Sequence, residues 1–124
     1  MGSDSLKLPL IIGVTGHRDL PGDSIAPLER EVGAVFDQIK TLYPDTPLVL
    51  ISALAEGADR LVARVGLKRG LRLVAPLPLP RDLYEQDFPN SKTEFNELLK
   101  ESESFELPLA GGFTRAAEIG RAHV

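Results

Sequence analysis

Residues 8–18, LPLIIGVTGHR, decide the fold class of this chain. Their first half is an apolar run without polar alternation, which is typical of a strand buried on both faces. Their second half is a turn of small and polar residues that leads towards a helix. The same order recurs at residues 48–60, LVLISALAEGADR, where an apolar run again ends in small residues. Two strand–turn–helix units in succession predict parallel strands joined by helical crossovers.

The rest of the chain continues this alternation of strands and helices. Apolar residues at helical spacing indicate helices at 24–43, 57–69 and 91–101. Strands are expected at 8–14, 48–51, 71–75 and 105–109, with a weak helical turn at 82–86. We expect Pro76 to Pro80 to form a loop, Gly70 to end a helix, and Ser91 and Glu94 to form a capping box. The pattern predicts an α/β fold, a Rossmann-like three-layer domain with a parallel sheet.

The last six residues of the chain have a different origin in our interpretation. Residues 119–124 read IGRAHV and match one reading frame of a widely used sequencing-library adapter. We therefore expect residues 1–118 to be a partial domain and residues 119–124 to be an adapter-derived tail. The last strand–helix unit or units would then be missing, and residues after Gly111 would pack poorly. An uncovered strand edge would make such a chain prone to aggregation.

Composition narrows the classes of partner. The 124 residues suffice for one domain, and a net charge of −4 disfavours long nucleic acid, which binds basic faces. The absence of cysteine excludes disulfides and thiolate chemistry, and two histidines predict no metal site. No apolar run approaches the roughly 20 residues of a membrane span, so we expect no membrane contact in this segment. Without a signal-peptide pattern, a cytoplasmic location is the default.

Both small-residue turns lie at the carboxyl ends of predicted strands, which is where open parallel sheets bind ligands. Glycine lets backbone N–H groups approach an anion closely, and a following helix N-terminus favours negative charge. We therefore expect a phosphate-bearing small molecule at this edge and no cofactor. The candidate ligand-binding residues are Gly13, Thr15, Gly16, His17, Arg18, Ser52, Glu56, Gly57 and Asp59.

Several of these residues have a structural alternative. Arg18 could clamp a phosphate, or could pair with Asp59 or Asp19. Ser52 could donate to a phosphate or cap the following helix. Glu56 could act as a general acid or base, accept ribose hydroxyls, or simply favour the start of a helix. The catalytic residues are thus unknown, with Glu56 a weak candidate.

The two turns resemble motifs of the SLOG superfamily, which joins the DNA-processing protein A (Smf) and LOG ("lonely guy") families. Gly16-His17-Arg18 is similar to its G-T-R or G-H-R turn, and residues 52–59, SALAEGAD, are similar to its S-G-x-A-x-G-I-D motif. The likeness covers about residues 8–109 and implies a Rossmann-like nucleotide-binding domain. The P-G-G-x-G-T-x-x-E motif of LOG-type hydrolases has no counterpart, since Gly111-Gly112 comes too early and lacks the Thr and Glu.

The resemblance implies a domain that binds a nucleotide or a nucleotide derivative for sensing or regulation. One alternative is a LOG-type hydrolase of nucleotide N-glycosidic or phosphoribosyl bonds, for which Glu56 and Asp59 are the acid/base candidates. Another is an Smf-like module that handles single-stranded DNA, which the acidic charge of the chain disfavours. The expected partner is a nucleotide-type small molecule, with a homo-oligomer or a fused effector domain left open.

Overall fold

The computed structural model describes residues 8–108 of the chain. The strands are β1 (Leu10–Gly13), β2 (Leu48–Ile51), β3 (Arg72–Leu77) and β4 (Glu103–Glu106). The helices are α1 (Ile25–Leu42), α2 (Ala58–Lys68), α3 (Arg81–Tyr84) and α4 (Lys92–Lys100), with short 3₁₀ turns at Gly22–Ser24 and Glu85–Asp87. None of these helices has both the length and the apolar character that crossing a membrane requires.

The four strands form one sheet in the order β1-β2-β3-β4, and every neighbouring pair is parallel. Leu10 is aligned with Leu48, Leu50 with Leu73, and Val74 with Glu103. This is an α/β fold with an all-parallel sheet and four helices, consistent with a Rossmann-like three-layer fold, so the predicted class is confirmed. The order leaves β1 and β4 as the two edges of the described sheet.

One face of the sheet carries the hydrophobic core. Side chains at alternate strand positions, including Leu50, Leu73 and Ala75, form a single buried cluster with Phe36 of α1. α2 and α4 contribute to the same cluster, and α2 contacts both α1 and α4. Each connection joins a strand to the next strand in the same direction across the sheet. Right-handed crossovers then place all the connecting helices on the same face of the sheet, which is why α1, α2 and α4 share one core. The strand register places five apolar side chains on the opposite face: Ile11, Val49, Ile51, Val74 and Phe105. Among them Val49 is buried.

The helix predictions are close to the observed bounds. Each of the three predicted helices is one residue longer at both ends than α1, α2 and α4, and the predicted strand at 48–51 coincides with β2. Gly70 ends α2 as expected, with φ +78° and its N–H donating to Leu67 O. The weak helical turn is α3 with the 3₁₀ turn that follows it.

Three local predictions are wrong. β3 continues through Pro76 and Leu77, which were expected in a loop. The backbone groups of Pro76 face the same neighbour as those of Val74, two residues earlier, and that neighbour is β2. The Val74 carbonyl accepts from Ser52 N–H, which lies just after the last residue of β2. Since β2 has ended at this level, the missing N–H of Pro76 costs the sheet no hydrogen bond. β4 occupies 103–106 instead of 105–109, because an edge strand needs no apolar run. Residue 109 and the predicted adapter-derived tail lie outside the described residues.

The capping box is the third error. Ser91 precedes α4 as predicted, but its side chain makes no cap hydrogen bond. The Ser91 hydroxyl donates to Glu56, and the Glu94 carboxylate accepts from Arg60 and Arg64 instead. Tertiary partners of opposite charge have thus replaced the local partners that the sequence pattern predicts.

Candidate functional site

A cavity of about 360 Å³ lies at the carboxyl edge of the sheet, where α1, α2 and α4 begin. Its lining is mixed in charge. The basic residues are Arg18, Arg60 and Arg64, the acidic residues are Asp19, Glu56 and Glu94, and Leu20, Ile25 and Leu61 form an apolar wall. The cavity therefore offers contacts to anions, to hydroxyl groups and to an apolar ring in one place.

The two glycine turns that the sequence singled out pack directly on each other. The N–H of Ala58, at the start of α2, donates to the carbonyl oxygen of His17 at 3.0 Å. A Cβ on Gly57 would collide with the backbone carbonyls of His17 and Arg18, and one on Gly16 would lie 2.6 Å from the Ala58 Cβ. Both glycines are thus required for the turns to meet, and one N–H of the α2 terminus is used by the fold.

The turn after β2 has a strained backbone conformation, which hydrogen bonds of the buried Ser52 hydroxyl stabilise. Leu54 is fully buried with φ +60°, an uncommon value for a residue with a side chain. Its N–H donates to the Ser52 hydroxyl, which in turn donates to Asp59 O at 3.1 Å. Ser52 is only 1% exposed and does not line the cavity. The geometry supports the structural alternative for Ser52, as an internal support of the turn.

Arg18 and Glu56 form an ion pair in the lining of the cavity. Arg18 Nε and Nη2 both donate to Glu56 Oε1 at 3.2 Å, and Nη2 also donates to Asp87 O at 2.7 Å. The Arg18 guanidinium lies 5.5 Å from the centre of the Phe88 ring. The carboxylate partner of Arg18 is therefore Glu56, and not Asp59 or Asp19 as the structural alternative had it. The pair is exposed, with 51% of the Arg18 side chain and 34% of the Glu56 side chain open to solvent.

The environment of Glu56 holds its carboxylate in the ionised form. The hydrogen bond that Ser91 donates, at 2.6 Å, and the Arg18 guanidinium lower the pKa of Glu56 below its ordinary value of 4.5. A general acid needs a raised pKa so that it keeps its proton near neutral pH. Glu56 is thus suited to accept hydrogen bonds from hydroxyl groups.

Arg60 is a site residue that sequence reasoning missed. Its side chain is 1% exposed, and its guanidinium lies 4.6 Å from the centre of the Phe88 ring. Nε donates to Leu54 O at 2.9 Å, and Nη1 donates to Ser91 O and to the Glu94 carboxylate. An arginine beside the apolar stripe of α2 was the available signal, but Ser91 and Glu94, which supply two of its three acceptors, lie 31 and 34 positions away.

The remaining predicted residues do not line this cavity. Burial raises the pKa of the Asp59 carboxyl, and the nearby Ala55 N–H partly offsets this by lowering it. The His17 side chain is exposed, while its carbonyl supports α2. Gly13 and Thr15 line a separate apolar depression of about 230 Å³ between β1 and α1. The structure thus brings Arg18, Glu56 and Gly57 together in one cavity and leaves Gly13 and Thr15 in another.

Residues 8–108 bring together no group of three or more His, Cys, Asp or Glu side chains that could hold a metal ion. No protein-family model matches the chain, and no curated protein and no solved structure matches it. The resemblance to the SLOG superfamily thus depends on the quoted motifs alone. Because one fold can serve many functions, the function has to be inferred from the cavity itself.

Proposed function

We propose that this chain binds a nucleotide or a nucleotide derivative at the carboxyl ends of β1 and β2, as a sensing or regulatory domain. The half-exposed Arg18 guanidinium beside the ionised Glu56 carboxylate is the observation that carries this proposal. Arginine recognises phosphate through paired hydrogen bonds, and a carboxylate accepts hydrogen bonds from ribose hydroxyls. The two groups that a nucleotide needs are therefore side by side.

The size and lining of the cavity support the same class of ligand. Its volume of about 360 Å³ lies within the usual range of small-molecule sites, roughly 300–1,000 Å³. Leu20, Ile25 and Leu61 supply an apolar surface against which a base could pack. A cavity that mixes apolar area with a few charged groups is typical of sites that orient small ligands.

The edge of the sheet at which the cavity lies also favours this class of ligand. Parallel α/β sheets bind ligands outside the carboxyl ends of their strands. The turns that follow β1 and β2 carry Arg18 and Glu56, and both residues line the cavity at that edge.

Binding is favoured over the alternative activities. A hydrolase that protonates a leaving group needs a carboxyl with a raised pKa at the cavity. The pKa of Glu56 is lowered, and Asp59, whose pKa is raised, does not line the cavity. Three arginines face three carboxylates in the cavity, which makes no basic stripe for single-stranded DNA. A small anionic ligand fits this balance of charges better.

Titration of the full chain with nucleoside mono- and diphosphates, followed by backbone NMR shifts, tests the proposal. We expect residues 15–18 and 52–59 to respond together to a binding nucleotide. Arg18→Ala should weaken binding by roughly 1.5–3 kcal/mol, or about tenfold to a hundredfold, because a charge-assisted pair is lost. Arg72→Ala is the matched control, since Arg72 also pairs with an exposed glutamate, Glu103, but far from the cavity. Equal affinities for the two variants would contradict the proposed role of Arg18.

A further inference from the structure

We propose that Arg18 and Ser91 form an oxyanion subsite that the Glu56 carboxylate occupies in this structure, and that a phosphate group of the ligand displaces Glu56 from it. The inference rests on the proposed function, which supplies a phosphate-bearing ligand at this cavity. It adds Ser91 to the ligand contacts, a residue that neither glycine motif contains.

The first argument is the number of donors that converge on Glu56. Its Oε1 accepts from Arg18 Nε and Nη2, both at 3.2 Å, and its Oε2 accepts from Ser91 Oγ at 2.6 Å. Three donors on two oxygen atoms are the arrangement that two oxygens of a phosphate group would also satisfy. The carboxylate therefore stands in the position of an anionic ligand.

The second argument is that both donor residues, Arg18 and Ser91, also make contacts that do not involve Glu56. Arg18 also donates to Asp87 O at 2.7 Å and lies over the Phe88 ring. Ser91 is anchored by its carbonyl oxygen, which accepts from Arg60 Nη1 at 3.2 Å and from Phe95 N–H at 3.1 Å. Donors fixed by other contacts keep their geometry when the anion between them is exchanged.

The third argument is that Glu56 is free to leave. Ion pairs whose partners are both reached by water contribute little. Water reaches both partners here, since 51% of the Arg18 side chain and 34% of the Glu56 side chain are open to solvent. A phosphate group carries more negative charge than a carboxylate and offers three acceptor oxygens, so it competes well for the same donors. Once displaced, the Glu56 carboxylate remains at the cavity and can accept from ligand hydroxyls. Glu56 then acts as an internal competitor that excludes weaker anions.

Titration of the full chain with inorganic phosphate, followed by NMR shifts, tests the subsite. Glu56→Gln should bind phosphate roughly fivefold to tenfold more tightly than the wild type, because the competing charge is gone. Glu103→Gln is the matched control, since it also removes one negative charge and one exposed Arg–Glu pair, on β4. We expect its phosphate affinity to stay within about twofold of the wild type. Adding Ser91→Ala to Glu56→Gln should abolish most of the gain.

The outcomes separate this proposal from the previous one. If Glu56→Gln binds phosphate no more tightly than Glu103→Gln, or if the double variant keeps the gain, the subsite is overturned. If the wild type binds a nucleotide through residues 15–18 in that case, the proposed function stands without the subsite. If Glu56→Gln gains phosphate affinity but no nucleotide binds, the subsite stands and the nucleotide class is wrong. Dispersed spectra of each variant before titration establish that it is folded.

Discussion

Gly57 allows the two glycine turns to pack on each other because it has no side chain. Its φ of +86° is left-handed, and the backbone carbonyls of His17 and Arg18 lie where a Cβ would be. The same contact places Arg18 beside Glu56, since it sets the distance between the two turns. At the scale of single residues, the glycines therefore shape the candidate site by packing, and the side chains around them supply its charged groups.

We expect Gly57→Ala to lower the free energy of unfolding by about 3 kcal/mol, because the strain of a positive φ adds to a collision with backbone atoms. Gly70→Ala is the matched control. Gly70 has φ +78°, but a Cβ there meets no atom within 4 Å, so only strain of about 1 kcal/mol applies. Urea unfolding of both variants measures the difference. Equal losses would show that the turns do not depend on close packing at Gly57.

At the scale of elements, Arg60 joins three segments, of which the start of α4 is distant in sequence. It lies on α2, donates to the turn after β2 through Leu54 O, and donates to the start of α4 through Ser91 O and Glu94. Its guanidinium also faces the rings of Phe88 and Phe95. The planar group with several fixed donors suits this task, and a lysine ammonium does not.

Arg60→Lys should therefore lower the free energy of unfolding by roughly 2 kcal/mol or more, because buried acceptors lose their donors. Arg64→Lys provides the comparison on the same helix. Arg64 also donates to Glu94, but its side chain is 33% exposed, and we expect a loss below about 1 kcal/mol. Denaturant unfolding at neutral pH measures both. An Arg64→Lys loss as large as that of Arg60→Lys would mean that burial at Arg60 is unimportant.

At the scale of the whole molecule, the sheet has one face packed against the described helices and a second, mainly apolar face outside that core. Val49 on this second face is buried, and the Arg72–Glu103 ion pair also lies on it. β1 is an edge of the described sheet, and Ile11 on the second face is 59% exposed. An open edge with exposed apolar side chains favours pairing between chains. Concentration-dependent self-association is therefore expected at this side of the molecule.

Ile11→Lys should reduce self-association, measured by light scattering over a range of concentrations, because lysine on an edge strand opposes pairing. We expect its free energy of unfolding to stay within about 0.5 kcal/mol of the wild type. Ile12→Lys is the control on the other face. Ile12 packs against the core, so the buried charge should cost more than about 2 kcal/mol. If Ile11→Lys also unfolds the chain, the second face is covered by contacts that hold Ile11 in place.

The sequence by itself determined the α/β class, the span of β2 and the three longer helices to within one residue at each end. Apolar periodicity is a local property, and so are a proline in the first turn and a glycine after the last. The carboxyl edge could be predicted as the place of the candidate site, because strand–turn–helix units with right-handed crossovers put both turns there. Arg18, Glu56 and Gly57 were chosen as candidates in this way, and all three line the cavity at that edge.

The tertiary structure alone decided which partners these residues have. Glu56 meets Ser91 across 35 positions and Arg18 across 38, and the start of α4 lost its expected capping box to such contacts. Pro76 became part of β3 because the neighbouring strand had already ended, which depends on sheet register. A side chain selects its partner by the geometry and charge available after the chain has folded. Pairings between segments far apart in sequence are therefore set by packing, and no local pattern predicts them.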